Sequence, residues 1–206
     1  RSTQAKTLFP YTTLFRSARF IPMAEESNLI VELGEQVLAQ SCQFIQRFNE
    51  IRKEQQQPQL SVHVNFSAHH FSSSTLLENL RTTLQESRLA PQHLVIEITE
   101  SMLLENIEQT IETMQALRVL GVRFSLDDFG TGYSSLNYVK RLPLDQIKID
   151  KSFVRDILTD PNDAAIAGTV VALAKSLSLN VIAEGVETVE QRDFLASAGC
   201  HAYQGY

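Results

Sequence analysis

Residues 94–128, LVIEITESMLLENIEQTIETMQALRVLGVRFSLDD, decide the fold of this chain. Leu94-Val95-Ile96-Glu97-Ile98 is a short apolar run rich in β-branched residues and reads as a strand. A helix follows over residues 106–120, stopped by Gly121, and Val122-Arg123-Phe124-Ser125-Leu126-Asp127 is another strand. A helix between two successive apolar strands implies parallel pairing through a right-handed crossover.

The same rhythm runs outward in both directions. Upstream, Leu29, Ile30, Leu33, Val37, Leu38, Phe44, Ile45 and Phe48 fall close to helical spacing and predict one long amphipathic helix entered after Pro22. A strand over residues 60–66 follows, and Ser72 to Ser74 begin a helix through Leu76, Leu77, Leu80 and Leu84. Downstream come a strand at 146–150, a helix at 163–177, a strand at 180–184 and a helix at 190–198 ending at Gly199; His201-Ala202-Tyr203 begins a sixth strand. This alternation suits either an open doubly wound sheet or a closed barrel. Six strands with no glycine-rich dinucleotide fingerprint favour the barrel, and a complete one takes about 250 residues. The expected fold is therefore α/β, an incomplete (β/α)8 barrel cut at both ends, forming one domain over residues 18–206.

Composition narrows the function. The chain carries 24 acidic and 18 basic residues, a net charge of −6 over 206 residues, with 43% hydrophobic residues, as in ordinary soluble domains. No run approaches the roughly 18 apolar residues of a membrane span, and no signal-peptide layout opens the chain, so a cytoplasmic protein is expected. Cys42 and Cys200 match no metal-ligand spacing and read as packed, reduced thiols. The acidic balance argues against DNA or RNA, so a phosphate-bearing ligand would need another source of attraction. Residues 1–17 show neither helical nor strand periodicity, and 7–17 resemble the in-frame translation of a sequencing adapter; the expectation is a non-native segment.

Strands buried on both faces should be almost purely apolar, yet polar residues end nearly every strand here. Asn65 closes the first, Glu97 and Glu100 the second, Asp127 and Asp128 the third, Lys148 and Asp150 the fourth, Glu184 and Glu187 the fifth, and Gln204 follows the sixth. In a parallel barrel these ends share one rim, the face that carries active sites. Any single acid reads as a helix cap or a solvated loop carboxylate. As a set they would repel unless cations held them, and oxygen donors without a Cys/His cluster suit Mg²⁺ or Mn²⁺. Adjacent Asp127 and Asp128 fit a two-metal phosphoryl hydrolase, and Lys148 could accept a proton from the attacking water or clamp a phosphate oxygen. Residues 128–136, with two glycines and small hydroxyls, read as a mobile active-site loop. His63, His69 and His70 have no spaced partner of ligand type and read as solvated or packed.

Phe20-Ile21-Pro22, Val64-Asn65-Phe66-Ser67, Glu97-Ile98-Thr99-Glu100-Ser101, Leu126-Asp127-Asp128-Phe129-Gly130-Thr131-Gly132-Tyr133-Ser134-Ser135-Leu136, Lys148-Ile149-Asp150, Ala183-Glu184-Gly185-Val186-Glu187-Thr188 and Gln204-Gly205-Tyr206 resemble the ordered motifs of the EAL domain. That family's members are bacterial cyclic di-GMP phosphodiesterases on a (β/α)8 barrel, forming linear pGpG with Mg²⁺ or Mn²⁺. The resemblance implies two ions, one held by Asn65, Glu97 and Asp127 and the second by Asp127, Asp128 and Glu184. It assigns Lys148 to the attacking water and Glu100 to anchoring the 128–136 loop. Glu187 and Gln204 would support the second ion, with Asp150 beside the site. It further implies a homodimer through the barrel, sensory or GGDEF domains upstream, and cyclic di-GMP as the ligand. The Glu-Ala-Leu segment that names the family, with its glutamate ligand, is absent, and the sequence stops before the family's final segment. A catalytically equipped parent and an impaired chain are therefore expected. A receptor that binds without cutting, and a purely regulatory module, stand as alternatives.

Overall fold

The computed structural model describes residues 17–104, 106–132 and 136–205. Six strands form its sheet: β1 (Val62–Asn65), β2 (Leu94–Thr99), β3 (Arg123–Phe129), β4 (Gln146–Ile149), β5 (Asn180–Ala183) and β6 (Ala202–Tyr203). Their spatial order is the chain order, and every neighbouring pair is parallel. A doubly wound sheet reverses its strand order at a switch point. This one never does, so the strands wind in one direction, as in six of the eight strands of a (β/α)8 barrel.

The two faces of the sheet divide the labour. Leu94, Ile96, Ile98, Phe124, Leu126, Ile147 and Ile149 are buried and belong to the core shared with the helices. Because side chains alternate along a strand, Glu97, Ser125, Asp127, Gln146 and Lys148 point the other way. The register aligns Asn65 with Glu97, Glu97 with Ser125 and Ser125 with Gln146, which sets a polar layer across four strands.

Nine helices accompany the strands among the described residues: α1 (Ser17–Glu26), α2 (Leu29–Glu54), α3 (Ala68–Phe71), α4 (Leu76–Ser87), α5 (Ile107–Val119), α6 (Leu136–Val139), α7 (Lys151–Arg155), α8 (Pro161–Ser176) and α9 (Val189–Ala198). Their ends follow local chemistry. Asp160 accepts from the Asn162 N–H at 2.8 Å ahead of α8, where Pro161 takes the first helical position. Thr188 and Gln191 form a reciprocal capping box at the start of α9, and Gly199 ends it with φ +103°.

Two expectations are corrected. The long helix entered after Pro22 is two helices, with Pro22 inside α1 and a break at Asn28, which takes φ +58°. The Ser27 hydroxyl donates to the Met23 carbonyl at 2.8 Å there, competing with continued helix. Ser72 to Ser74 do not begin a helix: α3 intervenes, opened by a capping box between Ser67 and His70, and α4 starts at Leu76. Cys42 and Cys200 are buried free thiols, as expected. Among the described residues, no helix is long and apolar enough to cross a membrane. Residues 1–16 of the adapter-like segment and 133–135 of the loop lie outside the described residues.

Candidate active site

Adjacent residues of a regular strand point to opposite faces, so Asp127 and Asp128 should not serve one site. The end of β3 solves this locally. The β3–β4 register shifts between Leu126 and Phe129, and Asp128 takes φ +55°, in the left-handed region that short polar side chains tolerate. The turn brings Asp127 and Asp128 together with Glu184, which follows β5, so that a ligand oxygen from each lies within 4.8 Å of the others. Burial, then the negative charges of Asp127, Asp150 and Glu184, push the Asp128 carboxyl up to about 6.

Lys148 answers the repulsion of the acids. Its Nζ lies 2.5 Å from Glu184, 3.1 Å from Asp127 and 3.2 Å from Glu97. Burial alone would lower its basicity, but Glu184, Asp127 and Glu97 outweigh burial and hold it well above the ordinary lysine value. Glu97 is buried, which raises a carboxyl, yet the hydrogen bond from His63 and the Lys148 charge keep it below the usual carboxylate range. Gln204 donates from Nε2 to Glu184 Oε1 at 2.6 Å, tying the end of β6 to the cluster.

The other expected residues fall around this centre in distinct ways. Glu100, buried just after β2, accepts from the backbone N–H groups of Gly130 at 3.0 Å and Gly132 at 3.3 Å, so it grips the loop that follows β3. A Cβ on Gly132 would stand 2.7 Å from Glu100 Oε1, which is why a glycine fits there. Asp150 caps α7 by accepting from the Ser152 backbone N–H at 2.9 Å and from its hydroxyl, and it shares a hydrogen bond with Asp128. Burial raises the Asp150 carboxyl, but the Ser152 bonds outweigh it and hold the group below its usual value. Asn65 is exposed at the end of β1, paired in register with Glu97. Glu187 is exposed in the turn before α9, where its backbone N–H donates to Gln191 Oε1 at 2.8 Å.

The histidines need one correction. His63 is neither merely solvated nor merely packed, because its Nδ1 lies 2.8 Å from Glu97 Oε1. Its position two residues before Asn65 places both on one face of β1, a signal present in the strand alternation. His70 is buried against Phe66, with ring centroids 5.0 Å apart, and His69 is exposed.

An assembly of acids, two amides and a lysine at successive strand ends can bind hard cations and act on a phosphoryl group. Comparison with known proteins agrees with that chemistry. The sequence profile described as the EAL domain matches residues 10–206. The bifunctional diguanylate cyclase/cyclic di-GMP phosphodiesterase MucR of Pseudomonas aeruginosa is 39% identical over 197 residues, covering 96% of this chain and 28% of that protein. The cyclic di-GMP phosphodiesterase NbdA of the same organism is 42% identical over 197 residues, covering 96% of this chain and 25% of that protein. The chain thus spans about a quarter of the length of these relatives. A solved structure described as the PaMucR phosphodiesterase, c-di-GMP complex, superposes with a TM-score of 0.86 at 39% identity, over 92% of this chain and 75% of that one.

Proposed function

The chain belongs to the EAL domain family, and from that premise we propose that it is the phosphodiesterase module of a bacterial second-messenger protein, hydrolysing cyclic di-GMP to linear pGpG. The observation that carries this reading is the cluster of Glu97, Asp127, Asp128 and Glu184 around Lys148 on successive strand ends. The names of the relatives and the cyclic di-GMP complex of the structural neighbour support it.

The donor set fits Mg²⁺ or Mn²⁺. All its ligand atoms are carboxylate or amide oxygens, and the Asp127, Asp128 and Glu184 oxygens already converge. In this reading Asn65, Glu97 and Asp127 would hold one ion and Asp127, Asp128 and Glu184 the other. Divalent ions there would stabilise charge on the phosphoryl oxygens and make a water nucleophilic at neutral pH. Of the two roles open to Lys148, the geometry supports the cationic one, since an ammonium with three carboxylate neighbours is a poor proton acceptor and a good clamp for a phosphate oxygen. Glu100 keeps the glycine loop in place over the site, Gln204 fixes Glu184, and Glu187 and Asp150 support the second ion from the turns behind it.

The relatives' greater length supports placing this barrel in a multidomain signalling chain; sensory or GGDEF domains, a cytoplasmic location and a homodimer are proposed on the family resemblance alone. Residues 1–17 are assigned as non-native, which sequencing of the source DNA across the Ser17–Ala18 junction checks. The decisive experiment follows conversion of cyclic di-GMP to pGpG by the full-length protein in Mg²⁺ and in Mn²⁺, with Glu97→Ala as control. Metal-dependent turnover lost in the control is the expected result. Tight binding without turnover would refute the hydrolase and make the protein a receptor.

A further inference from the structure

We propose that His63 is a positioning residue for Glu97, holding its carboxylate in the orientation from which it serves a divalent cation. The inference rests on the metal reading of the site and extends it to a residue outside the motifs that carry the family resemblance. His63 and Asn65 lie on one face of β1, and the register sets Asn65 beside Glu97. Nδ1 of His63 is 2.8 Å from Glu97 Oε1. An ionised carboxylate only accepts, so the hydrogen sits on Nδ1 and is donated.

Glu97 stands between two donors. Lys148 Nζ lies 3.2 Å from both Glu97 oxygens, Oε2 and the Oε1 that His63 also bonds, and Lys148 is also bound to Asp127 and Glu184. With Lys148 as its only partner, the Glu97 carboxylate could rotate about its terminal bond while still facing the ammonium, and its lone pairs would have no fixed direction for a cation. The directional bond from His63 to Oε1 removes that freedom and fixes the carboxylate plane. Outer groups that orient a ligand in this way are worth about 10- to 100-fold in metal affinity. The arrangement is also inexpensive, because the His63 side chain is 34% exposed and its ring keeps contact with water while Glu97, at 7%, does not.

The test is Mn²⁺ binding to the full-length protein, read by electron paramagnetic resonance of the free ion, for the parent, His63→Ala, His63→Asn, His63→Gln and Glu97→Ala. The Asn side chain places an amide N–H where Nδ1–H stands, whereas that of Gln reaches too far. The expected result is a dissociation constant raised about 10- to 100-fold in His63→Ala and His63→Gln. His63→Asn should return to near the parent value. A merely structural role would not separate Asn from Gln, and that pair decides the matter even if His63→Ala fails to fold. Parental affinity in His63→Ala, or equal weakness in the Asn and Gln variants, overturns the inference while Glu97→Ala still weakens binding. Absence of Mn²⁺ binding by the parent, or parental affinity in Glu97→Ala, overturns the metal reading and this inference with it.

Discussion

Replacing Lys148 by methionine keeps the side-chain length and removes the charge, and the structure sets the size of the effect. Lys148 is 6% exposed, Glu97 7%, Asp127 14% and Glu184 15%. Three acids with little access to water would lose a shared counter-ion. Breaking a buried ion pair by removing one partner costs about 3–5 kcal/mol. For a domain of this size each kcal/mol moves Tm by roughly 2–4 °C, so Lys148→Met should melt about 10 °C lower in EDTA. A divalent cation restores the missing charge and no longer competes with the ammonium. Mn²⁺ should therefore raise the Tm of Lys148→Met by more than it raises that of the parent, while turnover is lost. Differential scanning calorimetry of both proteins, with EDTA and with Mn²⁺, measures this directly. A variant melting within about 2 °C of the parent in EDTA, or one gaining no more from Mn²⁺ than the parent, refutes the assignment of Lys148 as the counter-ion of the site.

Asp128 has a carboxyl raised to about 6, so the folded state holds its proton more tightly than the unfolded chain, and this group makes the cation-free protein lose stability as pH rises from about 4 through 6. Asp128→Asn, which tolerates the same positive φ, should melt higher than the parent at pH 7 in EDTA, flatten the Tm–pH curve between pH 4 and 6 and lose protection by Mn²⁺; a thermal melt across pH in both states checks it. Glu100→Gln weakens two backbone hydrogen bonds to a charged acceptor, each worth about 1.5–3 kcal/mol, so turnover should fall about 10- to 100-fold with Mn²⁺ affinity little changed. Unchanged turnover in steady-state kinetics would show that the loop does not depend on Glu100.

The strands were legible because each is a run of apolar residues interrupted at a particular place. Glu97 inside Leu94-Val95-Ile96-Glu97-Ile98 and Lys148 inside Gln146-Ile147-Lys148-Ile149 break runs that core packing alone would leave apolar, and both stand on the polar face of the sheet. The rim of acids followed from the same reading. That Lys148 reaches Glu97, Asp127 and Glu184 on three other segments did not follow, because it depends on register between strands far apart in sequence. The bulge that turns Asp128 toward Asp127 was hidden for the same reason: an Asp-Asp pair carries no sign of its φ. The helix break at Asn28 was missed because Glu25-Glu26-Ser27-Asn28 contains no glycine or proline to mark it, and α3 because it is set by a contact between Ser67 and His70 within a single turn. His63 shows the division most plainly. Its face on β1 is fixed by alternation, but its partner is fixed by pairing with β2.

Under the proposed function, the register also accounts for how a net-acidic chain would receive a dianionic dinucleotide. Among the described residues Glu97, Asp127 and Glu184 share Lys148 as their ammonium partner, which leaves the innermost cluster negative, and burial together with the neighbouring acids pushes the Asp128 carboxyl up to about 6. Folding tolerates this because the tethered ammonium bonds to three acids at once and removes the worst of the repulsion. Substrate binding does not tolerate it, since the remaining field repels phosphate. In that reading divalent cations would reverse the sign of that field, held where the acids converge. On the proposed function Lys148 and the cations would therefore answer one electrostatic problem at two stages, the first allowing the site to form and the second allowing it to bind an anion.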